Sequence, residues 1–166
     1  MHGDATPANA FYIESRVRLF DLETAGFRHC LLDGSFARLR YLHSVWARSI
    51  PLDVQKRLMS TYRDTLLARS SYAVDETGFN RQLAACCAGW LAGLCALLPA
   101  VIDQDRKWGR STNRQRIVTG LNHFVTLSEE LDTFQPLGKL CHVALGRLYN
   151  TWPEEDRTMS QYRAFG

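Results

Sequence analysis

The sequence predicts a mainly helical fold preceded by a short N-terminal β-hairpin, and three observations carry that prediction. Two β-prone runs, Phe11-Tyr12-Ile13 and Val17-Arg18-Leu19-Phe20, are joined by Glu14-Ser15-Arg16, the spacing of a small hairpin. From about residue 31 onward apolar residues recur every three or four positions instead of every two. The length, 166 residues with 46% hydrophobic and 22% charged, suits one core that needs neither disulfides nor a structural metal to form.

Taken in order, the apolar spacing predicts five helices: Leu31 to Ala47, Leu52 to Leu67, Phe79 to Ile102, Arg114 to Leu131 and Leu137 to Tyr149. Their boundaries carry suitable punctuation. Ser49-Ile50-Pro51 separates the first two, Asp75 to Gly78 precedes the third, Ser111-Thr112-Asn113 can cap the fourth, and Pro136 can start the fifth. The organisation expected is one unit over 1–153, with a loop-and-hairpin segment over 1–33 and a helical subdomain over 34–153. A polar tail over 154–166 is expected to be loosely held, with Tyr162 and Phe165 able to dock.

Twenty Lys and Arg against seventeen Asp and Glu leave a net charge of +3, too slight to announce a nucleic-acid or membrane-surface partner. The basic stretch Arg106-Lys107-Trp108-Gly109-Arg110 reads as a solvated loop entering a helix, since no nucleic-acid-binding motif surrounds it. Leu83 to Ile102 is twenty residues without a charge. It is rich in Ala, Gly and Cys, interrupted by Pro99, and carries Trp90 at its middle, so a buried central helix fits better than a membrane span. Gly89 and Gly93 in this run are expected to let a neighbouring helix approach closely. The five cysteines are an odd count without a C-x-x-C spacing, which predicts reduced thiols and a cytoplasmic protein. No basic leader precedes an apolar stretch at the start.

The chemistry concentrates in His2-Gly3-Asp4-Ala5-Thr6-Pro7-Ala8-Asn9 and, beyond the hairpin, Asp21-Leu22-Glu23. Phosphoryl transfer from a nucleotide needs a carboxylate to accept the proton of the attacking hydroxyl. It also needs an Asn to hold one Mg²⁺ and a second Asp to bridge Mg²⁺ to the phosphates. Asp4, Asn9 and Asp21 offer these three groups, and the hairpin returns Asp21 to the end at which Asn9 leaves it.

The pattern His2-Gly3-Asp4 with Asn9 five residues on, followed by a hairpin and Asp21, resembles the aminoglycoside phosphotransferase and choline kinase-like family. Glu23, Ala25-Gly26 and Leu31-Leu32-Asp33 look like that family's following segment. Tyr62-Arg63-Asp64-Thr65-Leu66 and Asn113-Arg114-Gln115-Arg116 are also similar to it. The resemblance implies the C-terminal lobe of a protein-kinase-like fold that lacks its N-terminal lobe. It implies Asp4 as catalytic base, Asn9 and Asp21 as ligands of Mg²⁺ and the phosphates of ATP, and supporting roles for His2, Asp33 and Glu23. Gly3 stands where eukaryotic protein kinases carry an Arg, and only a short segment separates Asp21 from the first helix. A small-molecule hydroxyl acceptor is therefore implied.

The same comparison exposes what the sequence does not offer. Neither Lys56 nor Lys107 sits in a strand pattern, and no G-x-G-x-x-G occurs among the eleven glycines. The chain is accordingly expected to be inactive or weak alone, and two functions stay open. One is a small-molecule kinase completed by another lobe. The other is a non-catalytic helical remnant that binds a protein or a second copy of itself through exposed apolar surface.

Overall fold

The strands β1 (Ala10–Ile13) and β2 (Arg16–Leu19) pair antiparallel, with Ala10 opposite Leu19 and Ile13 opposite Arg16. Their turn is two residues long, and Glu14 and Ser15 have φ of +50° and +61°. That left-handed pair matches the twist of the strands it joins. The hairpin is unburied: Phe11, Tyr12, Ile13, Val17 and Leu19 are all exposed. These coordinates are a computed structural model and describe residues 1–39, 42–70, 72 and 74–165.

Among the described residues six helices follow: α1 (Leu31–Arg38), α2 (Leu52–Arg69), α3 (Glu76–Cys95), α4 (Leu98–Val101), α5 (Asn113–Glu130) and α6 (Gln135–Thr151). The chain is thus mainly helical with a short N-terminal hairpin. The centre is α5, which packs against both α3 and α6, while α1 lies on α3 and α2 on α1. Leu31, Leu83, Leu91, Ile117, Phe124 and Leu145 belong to one buried cluster joining these helices. Two helix starts are firmly capped. Asp75 accepts the Gly78 amide at 2.7 Å, and Thr112 forms a reciprocal capping box with Gln115.

Several expectations need correction. The first helix stops at Arg38 instead of continuing to Ala47, and within that span residues 40 and 41 lie outside the described residues. The side-chain amide of Gln55 takes the carbonyls of Ala37 and Arg38, and the buried guanidinium of Arg116 takes those of Leu42 and Ser44. Carbonyls used this way favour a turn, and residues 42–46 are turns and a bend. The long helix through Ile102 breaks after Cys95. Pro99 has no N–H to bond the Cys95 carbonyl, and its ring would crowd that oxygen.

Nor is α3 buried all round. Ala85, Gly89, Ala92 and Gly93 are exposed, and a Cβ built on Gly89 or Gly93 would meet nothing within 4 Å. α3 is approached closely instead at Gly120 of α5, where a Cβ would lie 3.1–3.3 Å from side chains of Leu94, Leu42 and Leu91. Among the described residues no helix is long and apolar enough to cross a membrane. All five cysteines are free, Cys87 and Cys141 buried and the other three half-buried.

The basic stretch is not merely a loop. Lys107–Trp108 (β3) pairs with Ser111–Thr112 (β4), so Lys107, expected outside any strand, begins one. Gly109 turns this hairpin at φ +68°, and a Cβ there would fall 1.9 Å from the Val45 carbonyl oxygen. Only glycine allows the hairpin to lie on the 42–50 loop. The C-terminal tail is pinned instead of loose. Asp156 pairs with Arg114 at 2.7 Å, Met159 is buried, the Ser49 amide donates to the Ser160 carbonyl, and the Tyr162 hydroxyl donates to the Trp46 carbonyl.

Candidate functional site

The loop carrying Asp4 is shaped by backbone as much as by side chains. Gly3 sits at φ +87°, and a Cβ there would come within 2.4 Å of the Thr24 carbonyl oxygen. Both the conformation and the crowding exclude any other residue. Asp33, in the first turn of α1, accepts the amides of His2 and Gly3 on its two carboxylate oxygens at 2.7 and 2.9 Å. Thr24 closes the other side by donating its hydroxyl to the His2 carbonyl at 3.2 Å. The loop's backbone is therefore held from two later segments before its functional groups are considered.

His2 is 7% exposed and its tautomer follows from its partners. Nε2 lies 2.8 Å from the Phe20 carbonyl, an acceptor, so Nε2 carries the proton and donates. Nδ1 is then free to accept the Asp4 amide at 3.3 Å. One ring thereby ties the Asp4 backbone to the last residue before Asp21.

Asn9 is buried at the end of a 3₁₀ turn immediately before β1 and donates its Nδ2 group to both the carbonyl of Asp4, at 3.0 Å, and the carboxylate Oδ2 of Asp4, at 2.8 Å. Neither of these bonds uses the carboxamide oxygen of Asn9. Asp4 is half-buried and keeps its Oδ1 oxygen for a second partner. Beyond the hairpin the Phe20 amide donates to the Asn9 carbonyl at 3.1 Å, extending the ladder by one pair, and Asp21 follows immediately. Asp21 is exposed and adopts a left-handed conformation, φ +61° and ψ +64°, which turns the chain sharply after β2. Glu23 is exposed in the 3₁₀ turn Leu22–Thr24.

His43, to which the sequence assigns no role, belongs to an aromatic cluster with Phe36 and Trp90. Its ring packs 4.7 Å from Trp90 and 6.5 Å from Phe36 between ring centroids, and its Nε2 is buried without a hydrogen-bond partner. Burial, with the Arg116 charge second, lowers its pKa from 6.5 to about 4, while a hydrogen bond with the Trp90 backbone and, to a smaller degree, the Asp4 carboxylate pull the other way. The turn that carries His43 exists because Arg116 gathers the carbonyls on both sides of it, those of Leu42 and Ser44. No sequence motif announces that convergence.

No group of three or more His, Cys, Asp or Glu side chains among the described residues is arranged to hold a metal ion. Asn9 and Asp21 offer one carboxamide and one carboxylate, a donor set too small to hold a cation without oxygens from another molecule. No protein-family model matches the chain, and no curated protein matches it at a significant level.

Proposed function

We propose that the chain is the metal- and acceptor-handling half of an ATP-dependent phosphotransferase of the aminoglycoside phosphotransferase and choline kinase-like type. In this reading an alcohol of a small molecule attacks the γ-phosphorus, its proton passes to Asp4, and ADP leaves. Asn9 and Asp21 would hold Mg²⁺, which neutralises phosphate charge when bound. The observation that carries the reading is the 2.8 Å contact between the Asn9 carboxamide and the Asp4 carboxylate, on a loop whose next ladder pair leads directly to Asp21. His2, Asp33 and Thr24 hold that loop and make no contact with the reacting atoms in this scheme. Five free thiols suit a reducing, cytoplasmic setting.

The apolar side chains of the exposed hairpin supply a surface on which a nucleotide-covering lobe, from this polypeptide or another, would pack. Without such a lobe the chain should bind Mg-ATP weakly and turn it over negligibly. The same exposed surface favours a second reading, a non-catalytic helical module that self-associates.

Titration of a fluorescent ATP analogue with and without Mg²⁺ separates the two. The phosphotransferase reading expects weak binding that requires Mg²⁺, is lost in Asp21→Asn and persists in Asp4→Asn. Binding that is absent or indifferent to Mg²⁺, together with a dimer in sedimentation that ignores Mg-ATP, would overturn it in favour of the second.

A further inference from the structure

Where the tail returns to the 42–50 loop, one kind of charge gathers without its opposite. A cavity of about 330 Å³, within the range of small-molecule sites, is lined by Trp46, Arg48, Arg110, Tyr162 and Arg163. Among the described residues no carboxylate lines it. Among the described residues the ion pairs engage Arg38, Lys56, Arg57, Arg63 and Arg114, so the three guanidiniums of the cavity have no anionic partner. Like charges drawn to one concavity repel each other, and a bound anion removes that repulsion.

The cavity is also built, not merely left over. Arg48 donates to the Ser160 hydroxyl at 3.1 Å and the Gln161 carbonyl at 3.3 Å, which fixes its guanidinium beside the tail. The Tyr162 hydroxyl donates to the Trp46 carbonyl at 2.8 Å, and a parallel bridge joins Ser49 to Gln161. Arg110 lies 4.9 Å over the Trp46 ring. Trp46 nevertheless stays 47% exposed, so aromatic surface is open to a ligand beside the cations. Guanidiniums give forked, charge-assisted hydrogen bonds to phosphate, and an indole offers a stacking face to a planar ring.

We propose that this cavity binds a small phosphate monoester that carries a planar ring. The phosphate meets Arg48, Arg110 and Arg163, and the ring lies against Trp46. The proposal does not depend on the phosphotransferase reading, because its residues are separate from Asp4, Asn9 and Asp21.

The test uses phenyl phosphate, inorganic phosphate and phenol as probes on the whole chain, followed through the Trp46 indole N–H resonance. Phenyl phosphate should saturate that signal more tightly than inorganic phosphate, both should weaken as salt rises, and phenol should leave it unmoved. Arg110→Gln and Arg163→Gln keep the backbone and tail contacts and should each weaken phenyl phosphate at least fivefold. Trp46→Leu, followed through neighbouring amides, should bring phenyl phosphate down to the affinity of inorganic phosphate. Asp21→Asn should change none of this. No saturable binding of phenyl phosphate, equal binding in the two glutamine variants, equal binding of phenol, or a loss in Asp21→Asn would each overturn the proposal.

Discussion

Asp33 holds a loop that lies about thirty residues earlier in the chain: its two carboxylate oxygens take the amides of His2 and Gly3 at 2.7 and 2.9 Å. Both bonds are charge-assisted, and each amide would otherwise need water or another acceptor. Asp33→Ala should cost roughly 2–3 kcal/mol of stability in urea denaturation, the range for hydrogen bonds to charged groups. Asp33→Asn should recover only part of that, since its NH₂ group would face an N–H. A loss below about 0.5 kcal/mol for the alanine variant would mean that the fork does not support the loop.

Gly3 and Gly26 make a matched pair. Gly3→Ala places a methyl 2.4 Å from a carbonyl oxygen in a left-handed backbone, and should destabilise the fold by about 2 kcal/mol or more. Gly26→Ala meets nothing within 4 Å, and should fall between neutral and about 1 kcal/mol stabilising. Thermal melts of the two variants side by side check this. Equal effects would contradict the placement of the Asp4 loop against Thr24.

The half-buried imidazole of His43, with its Nε2 shielded from solvent, gives stability a pH dependence of known sign. In the unfolded chain the ring titrates near its ordinary 6.5, whereas in the folded chain burial and Arg116 hold it near 4. Between those values the unfolded state binds a proton that the native state refuses, so stability falls as pH drops through this window and the effect levels off below about 4. The His43 contribution should reach about 3 kcal/mol at its largest. It is read as the difference between the protein and His43→Phe in denaturation from pH 7 to pH 4. Parallel curves would show that His43 is not buried as a neutral ring.

Arg116 is fully buried and donates to three carbonyls, those of Leu42, Ser44 and Trp108, while its guanidinium stacks 4.4 Å over the Trp108 ring. Arg116→Met keeps the volume and leaves those oxygens without their donor. It should cost about 3 kcal/mol or more and loosen the 42–50 loop, measured as faster amide hydrogen exchange there. Unchanged exchange would place the loop's stability elsewhere.

The parts of the fold legible in the sequence are those decided by neighbours in the chain. The hairpin follows from two β-prone runs around a short connection, expected as Glu14-Ser15-Arg16 and closed in the structure by Glu14-Ser15 alone, because Arg16 pairs with Ile13. The start of α5 follows from the Ser111-Thr112-Asn113 cap, whereas α3 starts at Glu76, three residues before the expected Phe79, because Asp75 caps it instead of lying in a separating turn. What could not be read depends on partners distant in sequence. The end of α1 is set by Gln55 and Arg116, and the tail is fixed by Arg114 and Ser49. Gly89 and Gly93 carry a spacing that suits helix contact, but which face of α3 meets a neighbour is decided by the larger stripe of Phe79, Leu83, Cys87, Leu91 and Leu94. In the candidate site, residue types and spacing single out Asp4, Asn9 and Asp21. The grip of Thr24 on the His2 carbonyl and the field of Asp4 at His43 exist only once the helices have assembled.

In the proposed function Asn9 and Asp21 share one divalent cation when a nucleotide is bound. Substoichiometric Mn²⁺ added with ATP to ¹⁵N-labelled protein tests this directly, because the ion broadens only resonances close to it. The Asn9 side-chain NH₂ and the Asp21 amide should broaden together, excess Mg²⁺ should restore both, and Asp21→Asn should abolish the effect at Asn9. Broadening that spares both groups, or that persists at Asn9 in Asp21→Asn, would contradict it.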